Sequence, residues 1–233
     1  MKRFYKSVTV EKAGEGFAIQ LDGRAVKTPA KQQLHAPTRA LATHMAQEWE
    51  QQADEIIPAS MPLTSLAYTA LDHIAGNRDS VIDQIAGYGD TDLLCYFAGD
   101  DEELCGKQKD LWHPLLRWAE SRLDLPLQTT DNLMPVQQAP HIRDTLRKRL
   151  SGETDWRLAP LSVTTALSGS VVLALALLER ELDAAQVFEA SVIDELHQAE
   201  RWGADEEATE RREHIREELD QAERFLRFLQ DDA

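Results

Sequence analysis

The chain has 233 residues, with 41 acidic against 25 basic side chains and a formal net charge of −16 at pH 7. A molecule of that charge repels phosphate backbones and anionic lipid headgroups, which excludes nucleic acid and an anionic membrane as favoured partners. Hydrophobic residues make up 42% of the chain, as in ordinary soluble globular proteins. The acidity predicts a protein that is soluble, and monomeric when free.

Residues 4–35 predict a small antiparallel sheet. Apolar residues alternate with polar ones in two runs, which is the pattern of half-buried strands: Val8 and Val10, then Phe17, Ile19 and Leu21. Asp22-Gly23 predicts a two-residue hairpin turn after them. A third strand is expected over residues 24–28 and a fourth over residues 32–35.

A helix is expected to cover this sheet, because so small a sheet cannot bury much apolar surface alone. After Pro37, three large apolar residues recur at four-residue spacing: Leu41, Met45 and Trp49. The polar segment that follows contains Pro58 and is interpreted as a boundary. The sequence therefore predicts a β-rich N-terminal domain over residues 1–58.

From Met61 onward the apolar residues take a helical period, which predicts an all-α bundle over residues 59–233 and an α+β protein as a whole. The most apolar stretch, Leu161 to Leu178, is predicted to be one buried central helix with Ser168-Gly169-Ser170 packed inside it. It is too short and too polar to span a bilayer, so no membrane insertion is expected. Residues 184–202 are predicted to form one long amphipathic helix, and residues 205–229 a last, highly charged one.

Motifs for catalysis are weak. The chain has no Gly-x-Ser-x-Gly nucleophile elbow, no phosphate-binding loop and no Glu-x-x-His element of a di-iron bundle. We therefore expect no enzyme activity, no metal and no cofactor. The alternative is a small metal-dependent or acid–base hydrolase that uses Asp90 with Asp92, or Asp194 with His197.

The segment from Ser191 to Ala208 carries a dense group of carboxylates around one aromatic residue, Trp202. These are Asp194, Glu195, Glu200, Asp205, Glu206 and Glu207. Carboxylates beside an aromatic side chain suit a cationic surface on a partner protein. The alternative interpretation is an ordinary solvent-exposed helix face without a binding role.

Several short blocks, in this order and spacing, carry a family resemblance over most of the chain. They are Glu48-Trp49, Pro58, Met61-Pro62-Leu63-Thr64, Gly89-Asp90-Thr91-Asp92-Leu93, Ser168-Gly169-Ser170 with Leu173-Ala174, and Asp194-Glu195 with Gln198 and Trp202-Gly203. From about Phe4 to Ala208 the chain resembles the assembly chaperones of F-type ATP synthase, and in particular the factor that binds the free α subunit.

The resemblance implies a small β-rich domain followed by a helical one, and a non-enzymatic holdase that binds α transiently until β replaces it. It implies a functional acidic residue before Trp202-Gly203, at Asp194 or Glu195, and extends the expected partner-binding set to Asp194, Glu195, Gln198, Glu200 and Trp202. Family members act in mitochondria and in bacteria. The first residues lack a signal-peptide core, so we expect the cytoplasm in a bacterium and the mitochondrial matrix in eukaryotic relatives.

Overall fold

The computed structural model describes residues 1–132 and 134–230, which fall into two compact units. The first unit consists of Met1–Arg78, Thr154–Pro160 and the chain from Gln221 onward, and the second of Asp79–Glu153 and Leu161–Asp220. The boundary predicted after residue 58 falls within the first unit. A division into domains at that residue stays a prediction.

The first unit contains a four-stranded antiparallel sheet: β1 (Val8–Ala13), β2 (Gly16–Leu21), β3 (Arg24–Ala25) and β4 (His35–Ala36). Strand β2 pairs with each of the other three, in a register that places Val8 opposite Leu21. The turn before β3 uses Asp22 at φ 49° and Gly23 at φ 77°, as the Asp-Gly signal predicts for a hairpin of this length. The predicted sheet is confirmed, although β3 and β4 are shorter than expected.

Helix α1 (Arg39–Glu50) packs on this sheet. Its N-terminus is capped by Thr38, whose hydroxyl accepts a hydrogen bond from the backbone N–H of Leu41. The predicted stripe of Leu41, Met45 and Trp49 is buried. The covering helix and the α+β class are therefore confirmed.

A buried carboxylate on α1 organises the next helix, α2 (Pro62–Tyr68). Glu48 accepts hydrogen bonds from the backbone N–H groups of Leu63 and Thr64, both at 2.8 Å, and from the Thr64 hydroxyl at 2.7 Å. These donors lie at the positive end of the helix, where a carboxylate is favoured. Burial nevertheless raises the pKa of Glu48 above its ordinary value.

After α2 the chain continues through a π-helical segment (Thr69–Ile74) into α3 (Ala75–Gly87). The helices that follow are α4 (Glu102–Leu123), α5 (Pro140–Ser151), α6 (Asp155–Ser168), α7 (Val171–Leu178), α8 (Ala184–Ser191), α9 (Ile193–Trp202) and α10 (Glu206–Phe228). None of these helices, within the residues the structure describes, combines the length and the apolar character needed to cross a bilayer. Both thiols, Cys95 and Cys105, are buried.

The apolar stretch from Leu161 to Leu178 is not one helix, which corrects the sequence prediction. Helix α6 ends at Ser168, Gly169 adopts φ 68°, and α7 starts anew with Ser170 as its N-cap. Every residue of α7 is buried, and α7 packs against α4 and α8. The stretch is central, as predicted, but a left-handed glycine divides it.

The predicted helix over residues 184–202 is also two helices. Val192 departs from helical geometry at φ −116° and ψ 17°, between α8 and α9. Beside this break, the buried indole of Trp112 on α4 donates a 3.0 Å hydrogen bond to the carbonyl of Ala190. The break gives α9 a start of its own, independent of α8, and α9 carries the predicted partner-binding residues.

Candidate partner-binding face

Helix α9 ends at a glycine that no other residue replaces easily. Gly203 has φ 91° and ψ 155°, and its N–H donates to the carbonyl of Ala199. L-residues rarely adopt this conformation. The chain turns there, and Asp205 accepts a hydrogen bond from the backbone N–H of Ala208 at the start of α10.

Three of the five predicted site residues lie on one face of α9. Glu195, Gln198 and Trp202 follow the three- and four-residue spacing of a helix face. Together with Asp205 and Arg212 they line a shallow pocket of about 210 Å³. The Trp202 side chain is 75% exposed, so a large apolar ring projects into solvent at the rim of this pocket.

The other two predicted residues, Asp194 and Glu200, contact α4 instead. Asp194 accepts a 2.7 Å hydrogen bond from the amide of Gln108, which is completely buried. Glu200 accepts a 2.7 Å hydrogen bond from the Lys107 ammonium group. That bond lowers the pKa of Glu200 and raises the pKa of Lys107. These two side chains therefore hold α9 against α4.

A buried histidine completes the connection between the two helices. His197 is 3% exposed, with Nδ1 3.1 Å from Lys107 Nζ and Nε2 3.3 Å from a carboxylate oxygen of Asp101. Asp101 also caps α4 and accepts a 2.6 Å hydrogen bond from Arg201. The cap bond from the Leu104 N–H lowers the pKa of the Asp101 carboxyl.

The face is less acidic than the sequence indicates, because basic side chains neutralise its carboxylates. Glu195 lies 2.5 Å from Arg211 and 3.7 Å from Arg212, and Arg212 is almost fully buried. Sequence reasoning missed both arginines, since they lie in the next helix and follow no recognisable motif. We therefore describe the site by an exposed indole with balanced charges and name it the Trp202 face: Glu195, Gln198, Trp202, Asp205 and Arg212.

The residues of the alternative hydrolase do not form a catalytic pair. Asp92 is completely buried and accepts hydrogen bonds from Ser170 and from the backbone N–H groups of Leu94 and Val172. Asp90 lies at the surface and pairs with Arg143 at 3.3 Å. Within residues 1–132 and 134–230, no group of three or more His, Cys, Asp or Glu is arranged to hold a metal ion.

Comparison with known proteins decides the family. Residues 2–120 match the model of the family described as ATP12 chaperone protein. The chain belongs to the ATP12 chaperone family. The Trp202 face lies beyond the residues that match the family model, but the similarity to an ATP12 protein of known structure covers 98% of the chain.

The crystal structure of Atp12 from Paracoccus denitrificans superposes with a TM-score of 0.94 at 38% identity, over 98% of each chain. The mitochondrial atp12 protein of Schizosaccharomyces pombe is 25% identical over 221 residues, covering 90% of this chain and 76% of the relative. The mitochondrial ATP12 protein of Saccharomyces cerevisiae is 27% identical over 247 residues, covering 87% and 76%.

These matches confirm the resemblance to the ATP synthase assembly chaperones and the small-sheet, mostly helical architecture. Membership of the ATP12 chaperone family also places the chain among chaperones and not among enzymes, which makes the hydrolase interpretation wrong. The partner-binding role of the five predicted residues stays a prediction.

Proposed function

We propose that this ATP12-family chain binds the free α subunit of F-type ATP synthase and keeps it soluble until β takes its place. The proposal rests on the family membership and on one observation in particular, the 75% exposure of Trp202 at the rim of a pocket. Exposed aromatic side chains next to pockets are frequent centres of protein–protein binding. The functional acidic residue that the resemblance implies, Asp194 or Glu195, lies about two turns earlier on the same helix.

The proposed mechanism is physical shielding. A subunit without its partner exposes apolar surface that is prone to aggregate. The Trp202 indole would contact that surface, while the charges around Glu195 and Arg212 would set orientation and keep the complex in solution. A single exposed indole and a pocket of about 210 Å³ favour transient binding, which β has to reverse.

The same proposal covers the remaining features of the function. We infer that the chaperone acts without nucleotide hydrolysis or a cofactor, and as a monomer before it meets its client. We place it in the cytoplasm of a bacterium, and its eukaryotic relatives, which are mitochondrial by name, in the matrix.

The test is capture of isolated ATP synthase α subunit, together with suppression of its aggregation measured by light scattering. The variant Glu195→Lys reverses one charge of the Trp202 face, and Glu217→Lys makes the same change at an exposed position of α10 outside it. We expect Glu195→Lys to weaken capture about tenfold or more, because a like charge beside a partner's cation is strongly unfavourable. Circular dichroism should show unchanged helix content in both variants.

Two outcomes would contradict different parts of the proposal, the function and the site. If the unaltered protein neither captures α nor reduces its aggregation, the proposed function is wrong. If it captures α and Glu195→Lys does so equally well, only the site is wrong. If Glu195→Lys weakens capture, the neutral variants Asp194→Asn and Glu195→Gln distinguish the two candidate acids, since Asp194 is bonded to buried Gln108 and Glu195 faces the pocket.

A further inference from the structure

A second pocket lies on the N-terminal sheet, well separated in sequence from the Trp202 face. Its volume is about 610 Å³, and its apolar lining includes Phe4, Tyr5, Val26 and Trp49. Phe4 is 66% exposed, which is unusual for a phenyl ring with a sheet beside it. We name this the Trp49 pocket.

The indole of Trp49 has an unused hydrogen-bond donor. Trp49 is 6% exposed, and its Nε1–H finds no partner among the residues that the structure describes. Buried indole N–H groups usually have an acceptor, and leaving one unpaired costs free energy. The Nε1 atom is itself buried, so an oxygen of an occupant reaches this donor only if the side chains over the indole move apart.

The rim of the pocket is basic. Arg24 and Lys27 line it, both are exposed, and neither forms an ion pair in the described part of the chain. The one acidic lining residue, Asp22, is already engaged, because its carboxylate accepts hydrogen bonds from the backbone N–H groups of Lys6 and Ser7.

The N-terminal segment around the pocket is also basic in composition. Residues 1–36 contain seven Lys and Arg against three Asp and Glu, in a chain whose total charge is −16. This segment, which forms most of the pocket, therefore has a net charge of +4 (seven basic minus three acidic residues) within an acidic chain. An occupant selected by charge would be acidic.

We propose that the Trp49 pocket binds an extended, acidic segment of the client protein. One apolar side chain of that segment would enter between Phe4 and Val26. Carboxylates beside it would pair with Arg24 and Lys27. This inference rests on the proposed function, since it gives the α subunit a second point of attachment that is independent of the Trp202 face.

The test compares charge-matched double variants in equilibrium binding of isolated α subunit. Arg24→Glu with Lys27→Glu reverses the charge of the pocket rim. Lys12→Glu with Lys31→Glu makes the same charge change at exposed positions of the same segment that do not line the pocket. We expect the rim variant to raise the Kd about tenfold or more and to weaken its dependence on salt, and the control to stay within about twofold of the unaltered protein.

A third variant addresses the apolar side of the pocket. Phe4→Ser removes an exposed ring that lines the pocket, so it should weaken binding of α by about three- to tenfold. Circular dichroism and the melting temperature monitor the fold of all three variants. Loss of binding without loss of fold supports the pocket as a contact site.

The possible failures are distinguishable. Absence of α binding by the unaltered protein overturns the proposed function itself. Intact α binding by the rim variant overturns the Trp49 pocket alone. Self-association of the free protein that the rim variant abolishes, measured by analytical ultracentrifugation, would assign the pocket to a second copy of this chain and overturn the inference as stated.

Discussion

The hydroxyl of Ser170 donates a 2.7 Å hydrogen bond to the carboxylate of Asp92, which lies 78 positions earlier in the chain. Ser170 is the N-cap of α7, and its oxygen accepts in turn from the backbone N–H of Leu173. The pair connects the start of the most buried helix to the turn that follows α3. Both residues are completely buried, so the bond has no competition from solvent.

This burial predicts a pH-dependent stability. Desolvation raises the pKa of Asp92 from 3.8 to about 6. Between those values the folded state retains a proton that the unfolded state has released, so the free energy of unfolding falls as the pH rises from about 4 to about 6. The variant Asp92→Asn cannot titrate. The difference in unfolding free energy between it and the unaltered protein should therefore change by about 2 kcal/mol from pH 4 to pH 7.

Urea unfolding at several pH values measures this difference. Asp90→Asn is the matched control, because Asp90 is an exposed residue of the same turn and forms its ion pair with Arg143 at the surface. Parallel pH profiles for Asp92→Asn and the unaltered protein would show that Asp92 keeps an ordinary pKa.

A second prediction concerns the buried carboxylate of Glu48. Glu48→Gln leaves one acceptor oxygen for three donors and places amide hydrogens near the N–H groups of Leu63 and Thr64. We expect a loss of about 1–3 kcal/mol in the free energy of unfolding. Glu50→Gln, at the exposed end of the same helix, removes only a surface ion pair with Arg3 and should cost less than about 1 kcal/mol. Equal melting temperatures for the two variants would contradict the capping role.

The break at Gly169 gives a third prediction. A Cβ at this position would meet only Leu93 at 3.9 Å, so the cost of Gly169→Ala comes from φ 68° and not from a clash. We expect a destabilisation of about 1 kcal/mol. Gly106→Ala, inside α4 with open space around the added carbon, should be neutral or stabilising by up to about 1 kcal/mol. Chemical denaturation of both variants measures whether each substitution lowers or raises the free energy of unfolding.

A fourth prediction separates binding from stability at two tryptophans. Trp202→Ser removes an exposed ring and should leave the melting temperature unchanged while reducing capture of α. Trp112→Ser opens a cavity in the core and breaks the bond to Ala190, so we expect a loss of about 3–5 kcal/mol. Capture of α by Trp202→Ser at the level of the unaltered protein would remove the indole from the proposed contact.

The sequence predicts local elements well where a pattern has one meaning. The Asp22-Gly23 turn and the Leu41, Met45 and Trp49 stripe each leave a single structural solution, and both are confirmed. Periodicity alone does not predict the break at Gly169, because the residues on both sides are apolar or small. The signal lies in the helix-end residues: a glycine that follows α6 and a serine that caps α7.

The sequence also gives an incomplete account of the charge at the candidate site. The sequence places the carboxylates of α9 around Trp202, but it does not reveal that Lys107 pairs with Glu200 and that Arg211 and Arg212 both pair with Glu195. These basic residues come from other helices, and only tertiary packing brings them near. Asp194 therefore proves to be hydrogen-bonded to a buried amide, and Glu195 faces the pocket.

The burial of the two cysteines limits the chemical reactivity of their thiols. Burial raises the pKa of the Cys95 thiol to about 12, so the reactive thiolate is almost absent at neutral pH. Cys105 is enclosed as well. Thiol-directed oxidants and alkylating reagents should therefore leave Cys95 unmodified in the folded molecule, so the redox poise of the compartment should not act on the fold through this residue.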